Sequence, residues 1–133
     1  LILLNTVLAG CAGGLAGLAA AWRGKGLPDL PDTLNGALAG LVAVTASCHA
    51  VTPFSALLIG AMGGLVAYYA TLALERARID DVVSATAVHG AAGIWGTLAV
   101  ALLGQPELLG TGLSFWPQLG VQALGVATVG LWA

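Results

Sequence analysis

Five apolar stretches alternate with shorter polar ones along the 133 residues of this sequence. A helix rises about 1.5 Å per residue, so each stretch is long enough, or nearly so, to cross a hydrocarbon layer of about 30 Å. Residues 33–74 carry no charge and would form a helix about twice that length, and Thr52-Pro53 is the point at which they divide into two. We therefore predict an all-α fold, a polytopic bundle of about five transmembrane helices near residues 1–22, 34–51, 54–74, 81–103 and 117–133.

Composition supports a membrane protein. Hydrophobic residues make up 59% of the chain and charged residues 8%. Many of the 20 glycines are spaced by four, as in Gly60 and Gly64, which places small residues on one helix face and lets helices approach closely. Cys11 and Cys48 fall in apolar stretches and are expected to be buried thiols. The first and last residues also lie in apolar stretches, so we expect the chain to be a piece of a longer protein.

The basic residues predict the orientation. Arg23, Lys25, Arg76 and Arg78 lie in two loops that fall on the same side of the membrane if the spans alternate. The loops on the other side contain no Lys or Arg. By the positive-inside rule the Arg23/Lys25 and Arg76/Arg78 loops are cytoplasmic. The sequence thus predicts a multi-pass protein of the cell's inner (plasma) membrane, with its first helix starting outside.

His89 lies inside the fourth apolar stretch, eight residues after Asp81. That separation is about 12 Å of helix, so the imidazole is expected near the middle of the bilayer. An ionisable side chain at that depth is rare and usually faces a bundle interior or a cavity. We favour a histidine that lines a pore or relays protons, because a neutral imidazole donates at one nitrogen and accepts at the other.

Two other roles for His89 stay open. It could be a structural histidine that hydrogen-bonds between helices. It could also be a metal or haem ligand, but this role needs a second donor, and His49 is expected closer to the outer interface than to the bilayer centre.

Four further polar residues are candidates for local roles. Asp80 and Asp81 precede the fourth span, where a carboxylate caps exposed amides and favours the positive end of the helix dipole. Asn35 and Thr45, in the second span, are expected to hydrogen-bond between helices, with contact to a permeating molecule as the alternative.

The sequence lacks the motifs of common enzymes, so an enzyme is not predicted. It contains no Walker loop, no glycine-rich dinucleotide turn and no paired nucleophile and base. Asp80 and Asp81 are adjacent and would point apart on a helix, unlike a catalytic carboxylate pair. The histidine and cysteine spacing predicts no metal site, no cofactor is expected, and no basic stripe indicates nucleic acid.

The run from residue 80 to residue 100 resembles a signature of the ammonium transporter family (Amt/Mep/Rh). The signature reads Asp-Asp-Pro-Val-Gly-Ala-Ile-Ser-Val-His-Gly and then Val-Cys-Gly-Ile-Trp-Gly-Thr-Leu-Ala-Val. This chain reads Asp80-Asp81-Val82-Val83-Ser84-Ala85-Thr86-Ala87-Val88-His89-Gly90 and then Ala91-Ala92-Gly93-Ile94-Trp95-Gly96-Thr97-Leu98-Ala99-Val100. Asn5-Thr6-Val7, residues 34–42 and residues 56–61 are also similar. The resemblance implies that residues 1–133 are a partial ammonium-transporter domain, whose five spans are similar to the seventh to eleventh of an 11-span fold.

The resemblance also implies a function. His89 would be one of two histidines that line a narrow hydrophobic pore for ammonia, with Ala85, Val88 and Leu38 as its apolar wall. Ammonium would be recruited outside and deprotonated, because a desolvated cation is costly in such a pore whereas neutral ammonia is not. Family members are usually homotrimers in the lipid bilayer, and a cytoplasmic regulatory protein is a further candidate partner.

The chain departs from the signature where the fourth helix begins. Val82 replaces Pro, Ser84 replaces Gly, and Thr86-Ala87 replaces Ile-Ser. We expect a straighter helix start and a more polar wall from these changes. Three hypotheses stay open: a transporter of ammonium or ammonia, an ammonium-sensing receptor domain of a signalling protein, and a helical packing subunit without a pore.

Overall fold

The computed structural model describes residues 1–132, and this part of the chain contains helices and no strands. The predicted all-helical class is therefore confirmed. The helices are α1 (Ile2–Lys25), α2 (Leu30–Val44), α3 (Pro53–Arg76), α4 (Ala92–Leu103), α5 (Pro106–Leu109) and α6 (Phe115–Trp132), and a π-helical turn, Thr86–Ala91, runs directly into α4. Within the described residues, three segments are long and apolar enough to cross a membrane: Ile2–Lys25, Pro53–Arg76 and Thr86–Leu103.

Glycines let α1, α2 and α3 pack with their backbones in direct contact. A Cβ atom added at Gly13 would strike the backbone of Gly36 in α2, and one added at Gly64 in α3 would strike the backbone of Gly13. The same position in α1 therefore contacts both neighbouring helices. In lipid there is little hydrophobic drive between helices, so close van der Waals contact of this kind holds them together.

The direction of the helices brings the positive charges to one end. Ala9 lies against Gly60 near the start of α3, and Gly24 lies against Tyr68 further along, so α1 and α3 run in parallel. Their C-terminal ends lie together, and we call this end of the bundle the basic end. Four basic residues belong to it: Arg23, Lys25, Arg76 and Arg78.

The last two long helices pack differently from each other. Trp95 of α4 donates its ring N–H to the carbonyl oxygen of Ile59, 3.0 Å away, which fixes α4 against the first part of α3. α6 packs on α4 at the periphery, and Gln118 is the one buried residue described for it. The sequence placed this span at 117–133; its last residue, Ala133, lies outside the described part of the chain.

The second helix differs from its expected bounds at both ends. It was expected over 34–51, whereas α2 covers Leu30–Val44 and residues 45–50 form a series of turns. The helix starts early because the carboxylate of Asp29 caps it, accepting a hydrogen bond from the Asp32 N–H at 3.1 Å. It ends early because the Thr45 N–H bonds to the carbonyl three residues back, which tightens the last turn and stops the α-helical pattern.

The helix that carries His89 starts later and less regularly than expected. Residues 81–84 are not helical, and Ser84 has a φ angle of 53°. Helical geometry begins at Ala85. The expectation of a straighter helix start is therefore wrong, because Ser84 adopts the left-handed conformation that a glycine adopts at much lower energy.

Candidate functional site

Asp81 holds the segment that leads to His89. One of its carboxylate oxygens accepts a hydrogen bond from the backbone N–H of Ala87 at 3.2 Å. The first amides of a helix have no partner within the helix, so the carboxylate satisfies one of them and sits at the positive end of the dipole. Asp80 is exposed, and its side chain makes no hydrogen bond within residues 1–132. Of the two acidic residues, Asp81 is the one whose side chain binds an amide at this helix start.

His89 lies on the π-helical turn. The N–H of Ala92 donates to the carbonyl of Ala87, five residues earlier, which widens the helix beside the imidazole. Such single π turns are frequent at functional sites. The His89 side chain is exposed and makes no hydrogen bond to another described residue. Both ring nitrogens are therefore open to a small molecule.

The neighbours of Val88 show how deep this turn lies. Val88 packs with Ala39 of α2 and Ala67 of α3. Each of these alanines is nine residues from the basic end of its helix, which is about 14 Å along the axis. The helix itself begins only about 6 Å before His89. The non-helical residues before Ala85 therefore carry the chain into the bundle. The helix that carries His89 starts further from the basic end than α2 begins and α3 ends.

A cleft of about 580 Å³ opens between α4 and α6 beside His89. Its walls are mostly apolar, and several glycines expose backbone rather than side chains to it. The one hydroxyl in the lining, on Thr97, donates to the Gly93 carbonyl at 2.9 Å, so its proton is already engaged. The lining residues are His89, Gly90, Gly93, Ile94, Thr97, Gly125, Val126, Val129 and Gly130.

The three apolar residues that the sequence grouped with His89 do not line this cleft. Val88 is 2% exposed and packs into the core. Successive residues of a helix point about 100° apart, so Val88 and its neighbour His89 face different sides. Ala85 lies exposed at the helix start, and Leu38 lies exposed on α2. Their role as an apolar wall near His89 stays a prediction.

The other polar candidates take local positions. The Thr45 hydroxyl donates to the Val42 carbonyl at 2.6 Å within its own helix, so the expected bond between helices is wrong for this residue. Asn35 is half-buried and makes no side-chain hydrogen bond to the described residues. His49 is exposed in the turns after α2, at the end of the bundle opposite the basic end, so the two histidines do not meet.

Asn5 is a structural polar residue to which the sequence analysis assigned no role. It is fully buried in α1, and its side-chain amide donates to the carbonyls of Cys48 at 2.9 Å and Val51 at 2.8 Å. Those carbonyls lie in the non-helical segment between α2 and α3, which would otherwise leave them without partners in an apolar environment. The available signal was a lone amide in an uncharged span, where a buried N–H group needs an acceptor.

Comparison with known proteins gives these observations a context. A sequence model of the Ammonium Transporter Family matches residues 1–133. A relative from Synechocystis is 49% identical over 133 residues, and the ammonium transporter Amt2 of Archaeoglobus fulgidus is 45% identical over 102 residues. A solved structure named Sensor Amt Protein superimposes with a TM-score of 0.90 at 42% identity, over 96% of this chain.

The chain spans a limited part of each of these proteins. It covers 24% of the Synechocystis relative, 22% of Amt2 and 32% of the Sensor Amt Protein chain. The family model, by contrast, covers the whole of this chain and includes every helix described above. The long apolar helices are those of a multi-pass membrane protein. The chain therefore belongs to the ammonium transporter family.

Proposed function

We propose that this chain forms part of a pathway that carries ammonium or ammonia across the membrane, with His89 on its wall. The observation that carries the proposal is the position of the imidazole. It lies well along the bundle axis from the basic end, exposed on a widened helical turn beside an apolar cleft, with no hydrogen bond from either ring nitrogen to a described residue. The names of the family and of Amt2 support the choice of substrate.

The chemistry of the cleft favours neutral ammonia over ammonium at this point. A cation that leaves water loses hydration free energy of several kcal/mol or more. The described lining of the cleft contains no carboxylate that would compensate for this loss. A neutral imidazole can donate to or accept from ammonia, or carry the proton that ammonium releases. His89 is thus proposed to hydrogen-bond to ammonia or to carry the proton that ammonium releases.

Uptake of labelled methylammonium tests this proposal. The protein, expressed from its complete reading frame in cells without their own ammonium transporters, is compared with His89→Ala. We expect the initial uptake rate to fall about tenfold, the effect of losing one hydrogen bond of about 1.4 kcal/mol in the rate-limiting state. His49→Ala is the matched control, because it removes an exposed imidazole far from the cleft. Equal uptake by the wild type and His89→Ala would exclude the pore role and leave a packing subunit.

A second candidate function is ammonium sensing. It is favoured by the match to the Sensor Amt Protein, which covers nearly all of this chain. A sensor would bind ammonium without appreciable flux. Calorimetric binding of ammonium to the purified protein, together with absent methylammonium uptake, would support this function over transport.

We further propose a homotrimer with the basic end in the cytoplasm, where a regulatory protein could contact the loops. The orientation rests on the positive charges at one end of the bundle. A cysteine introduced in place of Arg78 would then resist impermeant thiol reagents in intact cells and react after lysis.

Native mass spectrometry would give the subunit number, and a monomer would exclude the trimer.

A further inference from the structure

We propose that the hydroxyl of Thr86 is a second hydrogen-bonding site for ammonia, on the basic-end side of His89, a proposal that rests on the function proposed for the His89 cleft. Thr86 is exposed and is the first residue of the π-helical turn that carries His89. The family signature has isoleucine at this position, so the hydroxyl is a feature of this chain's own sequence.

The position of Thr86 continues the wall of the His89 cleft. A Cβ atom added at Gly90, which lines the cleft, would lie 3.8 Å from the side-chain carbon Cγ2 of Thr86. The two residues therefore lie one above the other on the same face of the helix. After Thr86 the cleft-lining residues of this helix recur at helical spacing, and they are His89, Gly90, Gly93, Ile94 and Thr97. Thr86 extends this face by one turn towards the basic end.

The Thr86 hydroxyl is available to a ligand because its own helix offers it no acceptor. Thr6, Thr97 and Thr128 each donate to the carbonyl oxygen four residues earlier, at 2.9, 2.9 and 2.8 Å. The residue four before Thr86 is Val82, which precedes the helix, so no helical carbonyl lies at the corresponding position. Within residues 1–132 the Thr86 hydroxyl makes no hydrogen bond.

An uncharged hydroxyl at this position favours neutral ammonia. It can accept from an N–H of ammonia or donate to its lone pair, whereas it cannot replace the hydration that a cation loses. The exposed residues that precede Thr86, on the way to the basic end, are apolar: Val82, Val83 and Ala85. Ammonia that has left His89 gains a hydrogen bond at Thr86, and an apolar molecule of similar size gains none.

Uptake of labelled methylammonium tests this role. The protein, expressed from its complete reading frame in cells without their own ammonium transporters, is assayed well below half-saturation, where the rate reports the whole barrier from free substrate. Thr86→Val replaces the hydroxyl with a methyl group and keeps the branched shape. We expect the initial rate to fall about three- to tenfold, the effect of one net hydrogen bond.

Two further variants separate the hydroxyl from the side-chain shape. Thr86→Ser keeps the hydroxyl and should retain most of the uptake rate. Thr128→Val is the matched control, because it makes the same change at an exposed residue of α6 that does not line the cleft. It should leave the rate unchanged. Thr86→Val should also unfold as the wild type does in detergent, since no described residue loses a hydrogen bond.

Three outcomes would overturn the proposal. The first is equal uptake by the wild type and Thr86→Val, and the second is a loss in Thr86→Ser as large as that in Thr86→Val. If His89→Ala is slow in the same assay, either result overturns the role of Thr86 and leaves the proposed function standing. The third is absence of uptake by the wild type, which would overturn both.

Discussion

The side-chain amide of Asn5 lies 2.8 Å from the carbonyl oxygen of Val51 and ties the start of α1 to the turn before α3. The same amide donates to Cys48 at 2.9 Å. Asn5 and Val51 are both fully buried, so neither group can exchange its partner for water. One side chain thus stabilises the non-helical connection between two membrane helices.

Replacing Asn5 should destabilise the protein. Asn5→Ala leaves two carbonyls without a donor, and we expect a loss of about 1–3 kcal/mol in the free energy of unfolding. Thermal unfolding in detergent measures the effect. Asn35→Ala is the matched control, with an expected change below about 0.5 kcal/mol, because the Asn35 side chain makes no hydrogen bond within residues 1–132. Equal losses in the two variants would contradict the role assigned to Asn5.

Substitutions of two glycines should have opposite effects. A Cβ atom at Gly60 would collide with the backbone of Ala9, so Gly60→Ala forces α1 and α3 apart and should cost about 1–3 kcal/mol. At Gly120 in α6 an added Cβ meets nothing within 4 Å. Gly120→Ala should therefore stabilise by about 0.5–1 kcal/mol through helix propensity. The same unfolding assay checks both, and a stable Gly60→Ala protein would show that the close contact is dispensable.

Ser84→Gly should stabilise the start of the His89 helix. The φ angle of 53° at Ser84 costs a residue with a side chain about 1–2 kcal/mol, whereas glycine adopts it freely. We expect a gain of about 1 kcal/mol, reduced by the greater freedom of glycine in the unfolded chain. Ser84→Ala keeps the strain and should show no gain. A gain of the same size in both variants would mean that the hydroxyl, not the backbone, is unfavourable.

The Asp81 carboxylate should protect the amide of Ala87. Asp81→Ala removes the acceptor at 3.2 Å, and we expect faster hydrogen exchange at Ala87 and a loss of about 1 kcal/mol. Asp80→Ala removes a neighbouring exposed carboxylate and serves as the control. Asp81→Asn keeps a side-chain oxygen and should restore most of the protection. If exchange is unchanged in Asp81→Ala, the contact does not hold the helix start.

Acid should weaken the loop between α1 and α2. The Asp32 N–H and the Lys25 ammonium both donate hydrogen bonds to the Asp29 carboxylate. These bonds hold the pKa of Asp29 below its ordinary value of 3.8, and the bond from Asp32 has the larger effect. Because the pKa of Asp29 is lower in the folded than in the unfolded protein, its ionised carboxylate adds to the free energy of unfolding. This contribution is complete above pH 3.8 and is lost as the pH falls through the folded-state pKa. Unfolding measured between neutral and acid pH should show this loss, and Asp29→Asn should reduce it. An Asp80→Asn protein should retain it.

The sequence alone determined the class of fold, the membrane environment and the family. These follow from quantities that are local in the chain: apolar runs of spanning length, the position of each charge, and the signature around His89. The parallel run of α1 and α3 then brings the basic residues together, as alternating spans require.

The tertiary structure decided what each polar group does. Asn5 and Val51 are distant in the chain, and only packing shows that one satisfies the other and allows α2 to end at Val44. Likewise, the turn at Ser84 and the π-helical geometry decide that His89 faces a cleft while Val88 faces the core. Hydrophobic pattern indicates which segments are apolar helices, but the ends of a helix and the direction of a side chain depend on caps, backbone angles and neighbours that composition does not encode.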